Sequence, residues 1–307
     1  MKIIARNNCN IREFGEDYFK IRTFLCGLKD PNYSYGRWDW MMKHGFLEES
    51  EISRVGIWEE EGEIVAAALY DTDLGNGHFC IKDGYGFLKE EMLLYAEKNL
   101  KNDEVFEAFI ADSDLEFQRI AYGNGYFPTT NKECDAYFPI EERSLEYKLP
   151  EGFRIASMAD HYDIFKYGEV LFKGFNHEKE NSKFSPTEKE IELGHGEFKG
   201  PKVNKDLKIV ALDSNGEFAA YCGMWYDQDS EYGIVEPLAT IPKYRKMGLG
   251  RAVVYEGIKR CRDLGAKSVF VGSSQQFYYS IGFIPYGNGT YWTKKRNIVK
   301  QVLHPEP

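Results

Sequence analysis

The chain has 307 residues, of which 29% are charged, with 49 Asp and Glu against 39 Lys and Arg and a formal net charge of −10. A chain of this length makes about two domains, each able to bury a core without disulfide or metal staples. Its longest apolar run, residues 64–70, is far short of the ~20 residues of a membrane helix, and an acidic balance speaks against nucleic acid as a partner. The charge is uneven: residues 1–150 carry −12 and residues 151–307 carry +2. The opening residues, Met1 to Arg6, lack the apolar core of a signal peptide, so the expected address is cytoplasmic. Six cysteines (Cys9, Cys26, Cys80, Cys134, Cys222, Cys261) form no C-x-x-C pair and have no histidine at ligand spacing. They read as reduced, mostly buried small hydrophobes, and no metal site is expected.

Along the chain, the first conspicuous segment is Trp38-Asp39-Trp40-Met41-Met42. It reads as core or interdomain packing, with an aromatic acceptor pocket as the alternative. Residues 62–71 read as a turn and strand. Asp83-Gly84-Tyr85-Gly86-Phe87 then leads into a helix with Leu88, Met92, Tyr95 and Leu100 as its apolar residues. The polar residues 141–143 and the breaker pair Pro150 and Gly152 mark a boundary, and a strand begins at Phe153-Arg154-Ile155. A helical pattern runs over 160–175. Residues 177–203 are a polar helix-and-loop excursion, either an entrance to a site or a plain surface loop. Residues 216–227 repeat the turn and strand of 62–71 at an offset of 154, and Tyr278 to Phe283 answers Ala121 to Tyr126 at 157. Such near-constant spacing predicts an ancient duplication, the alternative being chance likeness between two strand-rich halves. The six histidines (His44, His78, His161, His177, His195, His304) form no triad; His177 and His195 flank the excursion, as surface groups or within reach of a substrate.

Tyr232 to Thr240 reads as a strand, followed by Pro242, and then by Arg245-Lys246-Met247-Gly248-Leu249-Gly250-Arg251. From Gly250 a helix is predicted to about Leu264, with Val254, Ile258 and Cys261 on one face and Gly265 as its stop. Glycines at 248 and 250 let backbone N–H groups approach an anion, and the positive end of the helix faces the same place. Arg245 and Arg251 add charge. The pattern is that of a pyrophosphate cradle, yet it lacks both the Lys-Ser/Thr ending of a Walker loop and the third glycine of a dinucleotide fingerprint.

With this loop between a strand and a helix, and with Tyr278-Tyr279-Ser280-Ile281-Gly282-Phe283 one strand later, the sequence resembles the GNAT superfamily of acetyl-CoA-dependent N-acyltransferases. The family's R/Q-x-x-G-x-G/A signature falls on Arg245 to Gly250, and its Tyr-x-x-x-Gly-Phe ending on Tyr278 to Phe283. The resemblance covers residues 150–300. It implies an α/β (α+β) fold of two GNAT-like domains, each a mixed, mostly antiparallel sheet flanked by helices. Residues 1–146 would be a degenerate copy and 147–307 the catalytic one. Main-chain groups of Leu238, Ala239 and Thr240 would hold the pantetheine arm of acetyl-CoA. The backbone of Arg245, Lys246, Met247, Gly248, Leu249 and Gly250, with Arg251, would hold its pyrophosphate. Ser273 or Ser274 would replace the asparagine that many members carry before the tyrosine. Tyr278 would protonate the departing thiolate, or else be a packed aromatic among Phe277, Tyr279 and Phe283. Glu236 is the residue considered as base, against a structural ion pair, a water relay or the terminal carboxylate.

In the first half, Ile81 stands where the arginine would be and Ala121 where the tyrosine would be, which implies a structural or substrate-shaping role. The expected activity is transfer of acetyl from acetyl-CoA to a small-molecule or peptide amine by direct attack, with neither nucleic acid nor membrane as partner. The acidic first half points toward a cationic acceptor. A non-catalytic CoA sensor or scaffold is the rival.

Overall fold

The computed structural model describes residues 2–7, 14–28, 33–42, 47–103, 105–141, 143–180 and 182–294. Cys9, His44, His304 and the terminal carboxylate lie outside them. The described residues fall into two compact units: unit 1 takes residues 2–41, 47–135 and 285–294, and unit 2 takes Met42 and residues 136–284.

Unit 1 begins with β1 (Ile3–Asn7), α1 (Glu16–Leu28), α2 (Tyr35–Met41), β2 (Gly56–Glu60), β3 (Glu63–Asp71) and β4 (Asp73–Ile81). It continues with α3 (Lys89–Asn99), β5 (Glu107–Ala111), α4 (Leu115–Gly123) and the first part of β6 (Tyr126–Pro139). The predicted strand over 62–71 is β3, whose residues from Ile64 to Tyr70 are all buried. Such an unbroken apolar run needs cover on both faces. Trp38 is wholly buried, stacks on Tyr18 at 6.2 Å and donates from Nε1 to the Tyr18 carbonyl, so it is core. Beside it the buried Arg22–Asp39 pair is satisfied internally, with Tyr18 Oη donating to Asp39.

Unit 2 holds β7 (Arg154–Ser157), α5 (Ile164–Gly174), α6 (Glu188–Glu197), β8 (Lys208–Leu212), β9 (Phe218–Tyr226) and β10 (Tyr232–Thr240). After these come α7 (Leu249–Asp263), β11 (Ser268–Val271) and α8 (Gln276–Ser280). The helix expected from Gly250 is α7, which ends before Gly265 at a φ of 114°. Its Val253, Val254, Ile258 and Cys261 are buried in a core with Ile209, Cys222, Met224 and Val269. Each such branched side chain contributes about 1.5–3 kcal/mol by leaving water. The excursion folds in part: α6 opens with a capping box between Thr187 and Glu190.

The last strand, β12 (Ile284–Lys294), returns to unit 1, where it pairs antiparallel with β5 from Trp292–Ala108 to Gly289–Ala111. Conversely, the end of β6 belongs to unit 2 and pairs antiparallel with β11, Ala136 with Val271 through Pro139 with Ser268. Each unit thus shows one pattern: three antiparallel pairings, one parallel pairing (β4 with β5, β10 with β11) and an antiparallel closing strand. The compact units therefore do not follow a single cut at 146/147. The chain passes from one to the other inside β6 and returns at the start of β12. No helix among the described residues is long and apolar enough to cross a membrane.

Candidate active site

The site is built on β10. This strand pairs with β9 along its length, but with β11 only from Tyr232 to Ile234. Beyond Ile234, among the described residues, no strand pairs with the β11-facing edge of β10. Main-chain groups over 235–240, Leu238 and Thr240 among them, therefore lie where an extended ligand can bond to them. A bulge interrupts the β9 register between Val235 and Leu238, so that Glu236 and Pro237 face Gly223. A Cβ on Gly223 would lie 2.3 Å from the Glu236 carbonyl oxygen, so only glycine fits. Trp225 Nε1 donates to that same oxygen at 3.0 Å. Glu236 is fixed in this way on the bulge, half-buried; the Glu236–Pro237 peptide is cis.

After β10 the chain turns through Pro242–Tyr244 into the glycine loop. Arg245 sends its guanidinium back into the protein: Nη2 donates to the Gly174 carbonyl at 2.7 Å and Nε to the Thr240 carbonyl at 3.2 Å. Its side chain thereby ties the loop to the ends of α5 and β10. Gly174 itself is tight against the strand, since a Cβ there would come 2.7 Å from Ala239 Cβ. Lys246 and Gly248 have φ of 62° and 85°, and Gly248 caps α7 in the left-handed conformation. Interleaving left-handed residues is how a backbone lines a concave anion site with its N–H groups. Among the described residues, no group accepts a hydrogen bond from the backbone N–H groups of residues 246–251; the ladder of α7 begins with Ala252 N–H to the Gly248 carbonyl. Four such orphans, at residues 248–251, are normal at a helix start, and here the loop adds two more. Gly250 lets the helix close on its neighbours, a Cβ there lying 3.3 Å from Phe277 and 3.4 Å from Thr240 Oγ1.

Tyr278 sits on α8 and is buried, its ring edge-on to Phe277 at 5.2 Å and to Phe283 at 5.5 Å. Burial drives its phenol well above the usual value, with smaller contributions from Cys222 and Glu236 nearby. The group is neutral at any ordinary pH and, among the described residues, its hydroxyl makes no hydrogen bond. Ser273 Oγ is taken up by the N–H of Gln275 at 3.2 Å at the start of α8, whereas Ser274 is exposed. His177 and His195 turn to local partners, His177 to the Phe172 ring and His195 Nδ1 to Tyr162 Oη at 2.9 Å. Among the described residues no cluster of His, Cys, Asp and Glu could hold a metal ion.

Sequence reasoning missed Glu197, at the end of α6. Tyr167 Oη donates to it at 2.7 Å, and burial raises its carboxyl against the opposing pull of Tyr167 and Lys208. The rings of Phe198 and Tyr221, each 4.9 Å from Tyr167, wall this pair. The only advance signal was the polarity of the excursion.

The corresponding loop of unit 1 differs. It runs from Lys82 to Leu88 into α3, with Gly84 at a φ of 88°. Lys89 closes over it onto Asp114 at 2.9 Å and Glu116 at 2.8 Å. The atom nearest a Cβ on Gly86 is a Glu116 carboxylate oxygen, and Glu90 and Glu91 fill the first turn of α3. This helix start is already supplied with negative charge.

Comparison with known proteins agrees with this geometry. Residues 175–283 match the profile of the Acetyltransferase (GNAT) family. Over 52 residues the chain is 40% identical to the uncharacterized N-acetyltransferase YjhQ of Escherichia coli (strain K12), a stretch spanning 17% of this chain and 29% of that relative. Two solved structures share the fold over nearly the whole chain. A GCN5-related N-acetyltransferase from Sphaerobacter thermophilus gives a TM-score of 0.58 at 15% identity, covering 95% of each chain. A tandem GNAT protein from the clavulanic acid biosynthesis pathway gives 0.61 at 11% identity, covering 95% of this chain and 98% of that one. With a partly unpaired strand, an orphaned run of N–H groups at a helix start and a matching family profile across both, the chain carries a domain of the acetyltransferase (GNAT) family in its second half.

Proposed function

We propose that unit 2 is an acyltransferase that takes the acetyl group of acetyl-CoA to the amine of a small molecule or peptide, and that unit 1 does not bind the cofactor. The observation that carries this reading is the run of unpartnered N–H groups over 246–251, placed directly after the open edge of β10. A diphosphate fits there, because six donors and the positive end of α7 would otherwise face water without a partner. Acetyl-CoA supplies an acetyl thioester already activated for attack. In this reading Leu238, Ala239 and Thr240 orient the arm through their main chain. Lys246, Met247, Gly248, Leu249, Gly250 and Arg251 bind the diphosphate, and Arg245 positions the loop. Ser274 is free to reach the arm, and Ser273 contributes through its turn.

Tyr278 is the proton donor to the thiolate: its buried phenol stays protonated, and the charge that develops on the departing sulfur is relieved as the O–H bond gives its proton to it, the phenolate then being reprotonated from solvent. Glu236 takes the proton from the incoming ammonium, directly or through water, since the bulge holds it in the same neighbourhood as Tyr278. A cationic acceptor suits a site with carboxylates at 236 and 197. The test is release of free thiol from acetyl-CoA in the presence of a panel of polyamines, amino sugars and peptides. Amine-dependent turnover lost in Tyr278→Phe supports the assignment. Saturable binding of acetyl-CoA without turnover on any amine would leave a non-catalytic sensor.

A further inference from the structure

In unit 2 the carboxylates of Glu169, Glu217, Glu231 and Glu256 each pair with a lysine or an arginine. Glu197, although half-buried, makes no ion pair among the described residues. Its one hydrogen bond there comes from Tyr167 Oη to Oε2 at 2.7 Å, and Oε1, which no described residue serves, reaches solvent. The cation that acts on it, buried Lys208, is engaged elsewhere. Lys208 Nζ donates to the Met224 carbonyl at 3.0 Å and lies 3.4 Å from the centre of the Trp225 ring. A carboxylate drawn out of water without a counter-charge destabilises a fold, and a cation arriving from outside relieves that strain. The acid is held firmly. Tyr167 is buried on α5 between the rings of Phe198 and Tyr221, each 4.9 Å away. Tyr221 stands on β9 opposite Ala239 of β10, and Tyr167 also feels the charge of Glu236. One phenol thus has both carboxylates near it, Glu197 bonded to it and Glu236 acting through space.

We infer that Glu197 selects the acceptor by holding a second ammonium of the molecule whose first amine is acetylated, so that a diamine or polyamine is preferred to an amine of single charge. The inference rests on the acyltransferase reading of unit 2 and deepens it. Glu236 serves the reacting nitrogen of any primary amine, whereas Glu197 Oε1 accepts a charge-assisted hydrogen bond from the nitrogen that does not react. Tyr167 is the positioning residue, its proton given to Oε2 so that Oε1 stays turned to the acceptor. Because the second nitrogen takes no part in the chemistry, its contact is equal in the ground state and the transition state. It lowers KM and leaves kcat unchanged.

Steady-state thiol release from acetyl-CoA by the full chain tests this, with putrescine and cadaverine set against butylamine and pentylamine. The monoamines match the diamines in chain length and lack the second charge. Wild-type kcat/KM for each diamine is expected to exceed that of its matched monoamine by about tenfold to 100-fold, the worth of one hydrogen bond to a charged group. Glu197→Gln keeps the shape of the side chain and can still accept from Tyr167. It should raise KM for the diamines about tenfold at a kcat within about twofold, and leave the monoamines unchanged. Tyr167→Phe should raise the diamine KM by about twofold to tenfold as the carboxylate loses its orienting bond. Equal kcat/KM for diamines and monoamines in the wild type overturns the inference without recourse to any variant. An equal loss on both classes in Glu197→Gln also overturns it, leaving Glu197 a structural acid, as does turnover confined to amines of single charge. Thiol release on no amine at all overturns the acyltransferase reading itself.

Discussion

The two units share a strand pattern and differ at the start of one helix. In unit 2 the chain enters α7 through two left-handed residues and leaves six N–H groups without partners, with Arg245 turned inward to hold the loop. In unit 1 the chain enters α3 by a loop over which Lys89, Asp114 and Glu116 close, with Glu90 and Glu91 in the first turn. The same fold thus offers an anion site in one place and a self-neutralised helix start in the other. The lesson is that a sheet pattern conveys little about activity, whereas the polar partners of one turn convey much.

The strongest way to break the comparison is to block each loop in turn. Gly248→Trp is expected to lower acetyl-CoA affinity by about 100-fold or more, the loss of two charge-assisted contacts, while Gly84→Trp leaves it within about twofold. Calorimetry reads both, with melting curves to confirm folding; an equal loss in the two variants would remove the asymmetry between the units. Next, Tyr278→Phe should lower kcat by about 10²- to 10⁴-fold at unchanged acetyl-CoA affinity. Retained turnover would return Tyr278 to the packed aromatic of the alternative reading.

The pH dependence sharpens the same point. A general acid acts while protonated, and burial holds the Tyr278 phenol above its usual range, so loss of its proton falls at higher pH than for a free tyrosine. The kcat profile is expected to show no descending limb from this group below pH about 10, the pKa of an unperturbed phenol. A descending limb near 9 that vanishes in Tyr278→Phe would contradict the shift. A smaller effect is expected at Arg245→Met, which removes donors to Gly174 and Thr240. About 1–2 kcal/mol of stability should be lost in denaturant titration, with weaker acetyl-CoA binding as the loop loosens. The smallest belongs to unit 1. Glu116→Gln severs one half-exposed contact to Lys89 and should change stability by under about 1 kcal/mol, with cofactor affinity untouched. A gain of a second cofactor site in that variant would show that charge alone closes the unit 1 loop.

Much of this was legible in the sequence because it is local. The bounds of α7 follow from the period of Val254, Ile258 and Cys261 and from Gly265 as a stop, and β3 and β9 follow from apolar runs after turn residues. The glycine loop could be read because positive φ at 248 and tight packing at 250 each require glycine. What escaped depends on residues far apart in the chain. Neither the pairing of β12 with β5 nor that of the β6 end with β11 leaves a mark on local periodicity, which reports which face is buried and not which strand lies alongside. The inward turn of Arg245 needed the Gly174 carbonyl, 71 residues away, and the hold on Glu197 needed Tyr167, 30 residues away. Nothing local in the sequence joins Lys148 to Lys259, which the fold brings to one cavity.

The closing strands also set an order of events during synthesis. Unit 1 has most of its residues by position 135, yet its β5 acquires a closing partner only when residues 285–294 have been made. At about 5–20 residues per second that interval is about 8–30 seconds, during which the edge of β5 is open to any other strand. Unit 2, by contrast, receives its closing strand first and the rest of its sheet afterwards. Folding in this protein is therefore expected to finish from the second half toward the first. Pulsed proteolysis of stalled nascent chains would see this as protection of residues 136–284 before that of β5.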